Sequence, residues 1–141
     1  MLFTKQTLPI KETNLFTDLF TDYINDSEKV KPFFQSHIYQ TDFETYLNGT
    51  SFEKTDRTVL VDALKAQSLL VKNTGELSQK NIDTLTKQTT YTVTTGHQLC
   101  LFTGPLYFIY KIASTINLAT ILKSKFPDKD FVPVYWMASE D

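Results

Sequence analysis

The strongest pattern of apolar and polar positions lies in the last third of the chain. From about Pro105 to Lys125, Leu106, Ile109, Tyr110, Ala113, Ile116, Leu118, Ala119 and Leu122 give a broadly apolar helical stretch. Pro105 suits its first turn, where a missing N–H costs nothing, and Pro127-Asp128 ends it. Before the helix, Tyr91-Thr92-Val93-Thr94-Thr95 is β-branched and aromatic and predicts a strand. Gly96 is expected to end that strand and open a loop through Thr103-Gly104. After the helix, Phe131 to Met137 predicts a second strand, with Pro133 near its start, where a lost ladder donor is tolerated. Strand, helix, strand predicts a βαβ unit with parallel strands and a right-handed crossover. The mostly apolar second strand predicts burial on both faces.

The first 90 residues carry shorter periods. Asn14 is the expected N-cap of a helix whose stripe is Phe16, Leu19, Phe20, Tyr23 and Ile24. Pro32 breaks the pattern, irregular or short helical structure follows around Phe33, Phe34, Phe43 and Tyr46, and Asn48-Gly49 signals a turn. A second helix is predicted from about Asp56 to Asn73, with Val59, Ala63, Ala66 and Leu70 on one face. Gly75 then punctuates, Ser78 is expected to cap a third helix, and Ile82 and Leu85 to form its inner face. The expected organisation is a mostly helical segment over residues 1–90 packing on an α/β unit over residues 91–141, the first βαβ piece of an incomplete Rossmann-like parallel sheet. A two-stranded parallel sheet leaves unpaired edges, so the chain is expected to be a fragment of a longer protein.

Composition narrows the function classes. At 141 residues, with a net charge of −2 and a pI near 5.6, the chain has no electrostatic footprint for nucleic acid. The apolar run Leu99 to Ile112 is interrupted by Thr103, Gly104, Pro105 and Lys111 and is too short to span a bilayer. The amino terminus lacks a signal-peptide pattern. A single cysteine, Cys100, cannot make an internal disulfide and favours a reducing, cytoplasmic setting. Cys100 is expected to pack as a buried thiol between Leu99 and Leu101, and His37, His97 and one Cys give no metal-ligand spacing.

In open parallel sheets, ligands bind beyond the carboxyl ends of the strands. Two segments are expected at that edge: Gly96-His97-Gln98 through Gly104, and Ser139-Glu140-Asp141. The glycines allow close backbone approach, and the following helix turns free N–H groups and a positive dipole end toward an anion. His97 suits phosphate contact or proton transfer, and Gln98 offers an orienting amide. The spacing matches neither G-x-G-x-x-G nor a P-loop. Lys111 is open between a ligand contact and a solvated surface lysine. Glu140 and Asp141 suit binding an amine or sugar hydroxyls, ligating a divalent metal, or acting as base.

The run Thr95-Gly96-His97-Gln98-Leu99-Cys100-Leu101-Phe102-Thr103-Gly104-Pro105-Leu106-Tyr107, then Tyr110-Lys111, then Val132-Pro133-Val134-Tyr135-Trp136-Met137-Ala138-Ser139-Glu140-Asp141, resembles the amino-terminal part of the BshC family of bacillithiol biosynthesis. The family pattern is close to T-G-[QH]-Q-x-G-L-x-T-G-P-L-Y, then P-V-[FY]-W-[ILM]-A-[SG]-E-D-H-D. Residues 1–90 share only its general character. The resemblance implies a Rossmann-like core related to class I aminoacyl-tRNA synthetases, and a carboxy-terminal coiled coil that makes a homodimer in the full-length protein. It implies a cytoplasmic ligase joining cysteine to glucosaminyl-malate through an amide at the glucosamine nitrogen, with ATP as a candidate cofactor, no metal, and no nucleic-acid or membrane partner. On that picture His97 and Asp141 are the candidate catalytic residues. Thr95, Gly96, Gln98, Gly104, Lys111, Ser139 and Glu140 would bind substrate or nucleotide. Cys100 stands where many members have Gly, and the motif stops at Asp141 before the expected His-Asp, so these 141 residues alone are expected to be inactive. The alternative function is a non-catalytic Rossmann-like binder of a nucleotide or sugar phosphate.

Overall fold

The computed structural model describes residues 4–34, 36–37, 42–50 and 56–139. Two compact units, residues 1–51 and 52–141, divide the chain.

The first unit is made of short helices. A 3-10 turn at Ile10–Thr13 ends at Asn14, whose φ of 53° places it in the left-handed region. Asn14 therefore closes this turn rather than starting the next helix. Helix α1, Asp18–Ile24, is capped instead by Thr17, whose hydroxyl accepts from the Phe20 N–H at 3.3 Å. The stacked rings of Phe16 and Phe20 straddle that cap, centroids 4.6 Å apart. A turn at Lys31–Phe33 contains Pro32. Helix α2, Phe43–Gly49, starts at Asp42, whose carboxylate accepts from the Glu44 and Thr45 N–H groups. His37 is only 4% exposed, donates from Nε2 to the Tyr23 carbonyl at 2.7 Å, and lies against the rings of Tyr23 and Phe34.

The second unit holds α3 (Thr58–Leu69), α4 (Glu76–Thr84), β1 (Thr90–Gln98), α5 (Leu106–Lys125) and β2 (Asp130–Ala138). The two strands pair in parallel, from Thr90 opposite Asp130 to Gln98 opposite Ala138. α5 connects them and packs on both, as the βαβ pattern predicts. Val61 of α3, Leu85 after α4 and Val132 of β2 form the buried core, with Leu64, Ile82 and Val134 against it.

Several expected details differ. On α3 the inward residues are Val61 and Leu64, whereas Val59 and Leu70 are exposed. That helix is apolar round much of its circumference, so spacing alone does not choose its face. α4 begins at Gly75 with no side-chain cap, and Ser78 lies inside it. The inward row of α5 is Phe108, Ile112, Thr115, Ala119 and Leu122, while Ile109, Tyr110 and Ile116 stay exposed. β2 is buried at Val132 but exposed at Trp136 and Met137, so its apolar content does not correspond to cover on both faces. Among the described residues, no helix is long and apolar enough to cross a membrane.

Candidate active site

β1 does not stop at Gly96. Its ladder continues through Gly96 opposite Trp136, His97 opposite Met137 and Gln98 opposite Ala138, and the loop starts at Leu99. Glycine usually weakens a strand, but here it fits one: a Cβ on Gly96 would lie 2.8 Å from the Trp136 carbonyl oxygen and 3.0 Å from the Trp136 Cβ. The parallel register carries the ends of both strands to one edge of the sheet, so Leu99 and Ser139, the first residues past β1 and β2, follow from the same edge.

His97 is half-buried in a nest of rings: Tyr107 and Phe108 from the first turn of α5, with Tyr135 edge-on to Phe108. Nδ1 lies 2.9 Å from the Gln98 carbonyl oxygen and Nε2 lies 2.6 Å from the Tyr107 hydroxyl. A carbonyl can only accept, so Nδ1 carries the ring proton, Nε2 is the acceptor, and the Tyr107 O–H donates. Behind the ring, Tyr135 donates its hydroxyl to the His97 carbonyl at 3.3 Å. Desolvation pushes the Tyr135 phenol up, and negative charge on Cys100 pushes it the same way. Tyr135 therefore keeps its proton and that hydrogen bond across the neutral range.

The loop brings Cys100 back to the same histidine. Its backbone is extended (φ −127°, ψ 139°), so the position needs no glycine. The thiol is exposed rather than packed between Leu99 and Leu101; Sγ lies 3.3 Å from His97 Nδ1 and 3.4 Å from the Gln98 carbonyl. The positive-φ residues are instead Phe102 (51°) and Gly104 (63°). A Cβ on Gly104 would stand 2.7 Å from that of Cys100. Phe102 is 96% exposed in this strained turn. Pro105 then starts α5, whose first turn has no side-chain cap.

Thr95, Tyr107 and Lys111 line one open groove of about 400 Å³ between β1 and α5, together with Val93, Tyr110 and Leu118. Lys111 is half-buried and donates Nζ to the Gly96 carbonyl, so it is not a wholly solvated surface lysine, and its ammonium keeps its charge at the groove. Ser139 is exposed just past β2. Glu140 and Asp141 lie outside the described residues. Among the described residues, no three His, Cys, Asp or Glu side chains gather as metal ligands would.

Residues 3–141 match the family model described as bacillithiol biosynthesis BshC, N-terminal Rossmann-like domain. The chain belongs to the BshC family. It is 42% identical over 139 residues to BshC of Cytophaga hutchinsonii, covering 99% of this chain and 26% of that protein. It is 44% identical over 132 residues to BshC of Christiangramia forsetii (92% and 24% covered). The match to BshC of Flavobacterium psychrophilum is 44% over 134 residues (93% and 25%). The names of these relatives include the words cysteine ligase BshC. The chain spans about a quarter of their length.

Within the BshC motif the structure brings together His97, Gln98, Gly104 and the start of α5, and adds Cys100, Tyr107 and Tyr135 to them. Tyr107 stands ten residues after His97, a separation that no helical or strand period links, so only the chain reversal at Phe102 and Gly104 reveals the contact.

Proposed function

We propose that this chain is the amino-terminal Rossmann-like part of an enzyme that adds cysteine to glucosaminyl-malate, forming an amide at the glucosamine nitrogen. The observation that carries this reading is the meeting of His97, Tyr107 and the uncapped first turn of α5 at the carboxyl end of β1. An ammonium nitrogen must lose a proton to become an acylated amine, and imidazole is suited to take one near neutral pH. The names of the relatives support the cysteine ligase reading. ATP suits the same edge: the start of α5, which has no side-chain cap, turns its positive dipole end toward a phosphate. Bound there, ATP would supply activation of a carboxylate. Gln98, exposed at the end of β1, would orient the ligand.

The test gives the full-length protein cysteine, glucosaminyl-malate and ATP, and follows the thiol product by labelling and mass spectrometry. The expected result is product, with turnover falling about 100-fold in His97→Ala, the scale for a lost acid–base group. Calorimetric binding of ATP or glucosaminyl-malate with no product would replace the ligase by the non-catalytic binder.

A further inference from the structure

His97 does not line the groove that Thr95, Tyr107 and Lys111 share; Tyr107 does. The histidine's one accepting nitrogen, Nε2, is already occupied by the Tyr107 hydroxyl at 2.6 Å, while its Nδ1–H is tied to the Gln98 carbonyl at 2.9 Å. A ligand in the groove therefore meets the phenol first and the imidazole only through it. Tyr107 is 53% exposed, and its ring is held against His97 with centroids 5.3 Å apart.

We propose that Tyr107 is a catalytic residue that relays a proton from the substrate amine to His97. The inference rests on the ligase reading above. As the amine nitrogen bonds to the cysteine carboxyl carbon, activated beforehand by a nucleoside triphosphate, the bond from that carbon to its phosphate-bearing oxygen breaks and the phosphate leaves with the electron pair. The proton leaving the nitrogen passes to the Tyr107 oxygen, and the phenol's own proton passes to His97 Nε2. Tyr107 ends as a neutral phenol and His97 as an imidazolium, whose Nδ1–H stays on the Gln98 carbonyl. Tyr135 holds the His97 carbonyl and Phe108 holds the ring edge-on, so the imidazole is fixed from behind while the phenol faces the groove. Reprotonation of solvent from the imidazolium resets the pair.

Two measurements test the relay. Nitrogen-15 spectra of the full-length protein, recorded at a pH where the imidazole is uncharged, should show the His97 proton on Nδ1, and Tyr107→Phe should move the Nε2 resonance because its donor is gone. A proton on Nε2 in the unmutated protein, or an Nε2 resonance unmoved by Tyr107→Phe, overturns the relay whether or not the ligase reaction is found. In turnover, Tyr107→Phe keeps the ring and should lower kcat by about 100-fold with little change in KM. Rate against deuterium content of the solvent should be curved for the unmutated enzyme, where two protons move together, and linear for Tyr107→Phe. Unchanged turnover in Tyr107→Phe overturns the proposal. Absence of product from the unmutated protein counts against the ligase reading alone, since the nitrogen spectra still judge the contact between Tyr107 and His97.

Discussion

At the amino ends of β1 and β2, Thr90 is 1% exposed and Asp130 is held between Lys87 and Lys123, each 3.0 Å away. At the carboxyl ends of the same two strands, Trp136 and Met137 are 61% and 59% exposed, and the polar groups include a histidine, a thiol, two phenols, an ammonium and an amide. The closed end is cross-braced: Arg57 donates to the carbonyls of Lys87 and Thr90 at 2.8 Å and of Leu85 at 3.4 Å, and the Thr90 hydroxyl donates to the Thr84 carbonyl at 2.6 Å. The open end is shaped by rings and by two glycines pressed against their neighbours. Stability is thus concentrated at one end of the sheet, which leaves the other free to carry side chains chosen for chemistry.

The largest effect should come from the closed end. Leu85→Ala removes a buried core side chain and should cost about 2–5 kcal/mol in urea unfolding, while the fraction still folded keeps the unmutated rate of Cys100 labelling. A changed labelling rate in the folded fraction would show that the two ends are coupled.

Next in size is Gly96→Ala. The added methyl meets the Trp136 backbone, which cannot swing aside as a long side chain would, so a loss of about 1–3 kcal/mol is expected. A neutral result would mean that the open end yields easily, and the contrast between the ends would weaken.

The smallest effect is that of Asp130→Asn. Hydrogen bonds from Lys123 and then Lys87 hold the Asp130 carboxyl below its usual range. A carboxyl lowered by folding stabilises above its unfolded pKa of about 3.9, and the contribution is lost as pH falls through the lower folded value. The variant should therefore be less stable by about 0.5–1 kcal/mol at neutral pH, with the difference shrinking in acid. Unfolding midpoints across the acid range check both size and sign.

Local pattern was enough for α5 and for the parallel pair, since a 20-residue helix between two β-branched runs has few alternatives. It failed where a tertiary neighbour decides. Gly96 ends a strand by propensity but continues one here because the Trp136 carbonyl stands where its Cβ would be. Asn14 and Thr17 are both good caps, and the left-handed turn at Asn14 leaves the role to Thr17. The inward face of α3 depends on where Leu85 and Val132 sit, which its own residues do not encode. At the site, His97 was legible as a polar group at a strand end. Its tautomer was not, because that is set by the Gln98 carbonyl and by a phenol brought round by the loop. Cys100 between two leucines suggested burial, but Leu99 and Leu101 are themselves exposed.

Trp136 is the chain's single tryptophan, and it stands at the open end, across the ladder from Gly96 and one residue from Tyr135. Its fluorescence therefore comes from one known place. In the folded protein the indole already faces water, so emission should be red-shifted before any denaturant is added, and unfolding of the core should change its colour little. Cover over Trp136 on its own face of the strand ends would instead shift the light toward the blue. The protein thus carries a built-in optical reporter for the open end of its sheet, on the face opposite Tyr135 and α5, and one that is nearly blind to the rest of the fold.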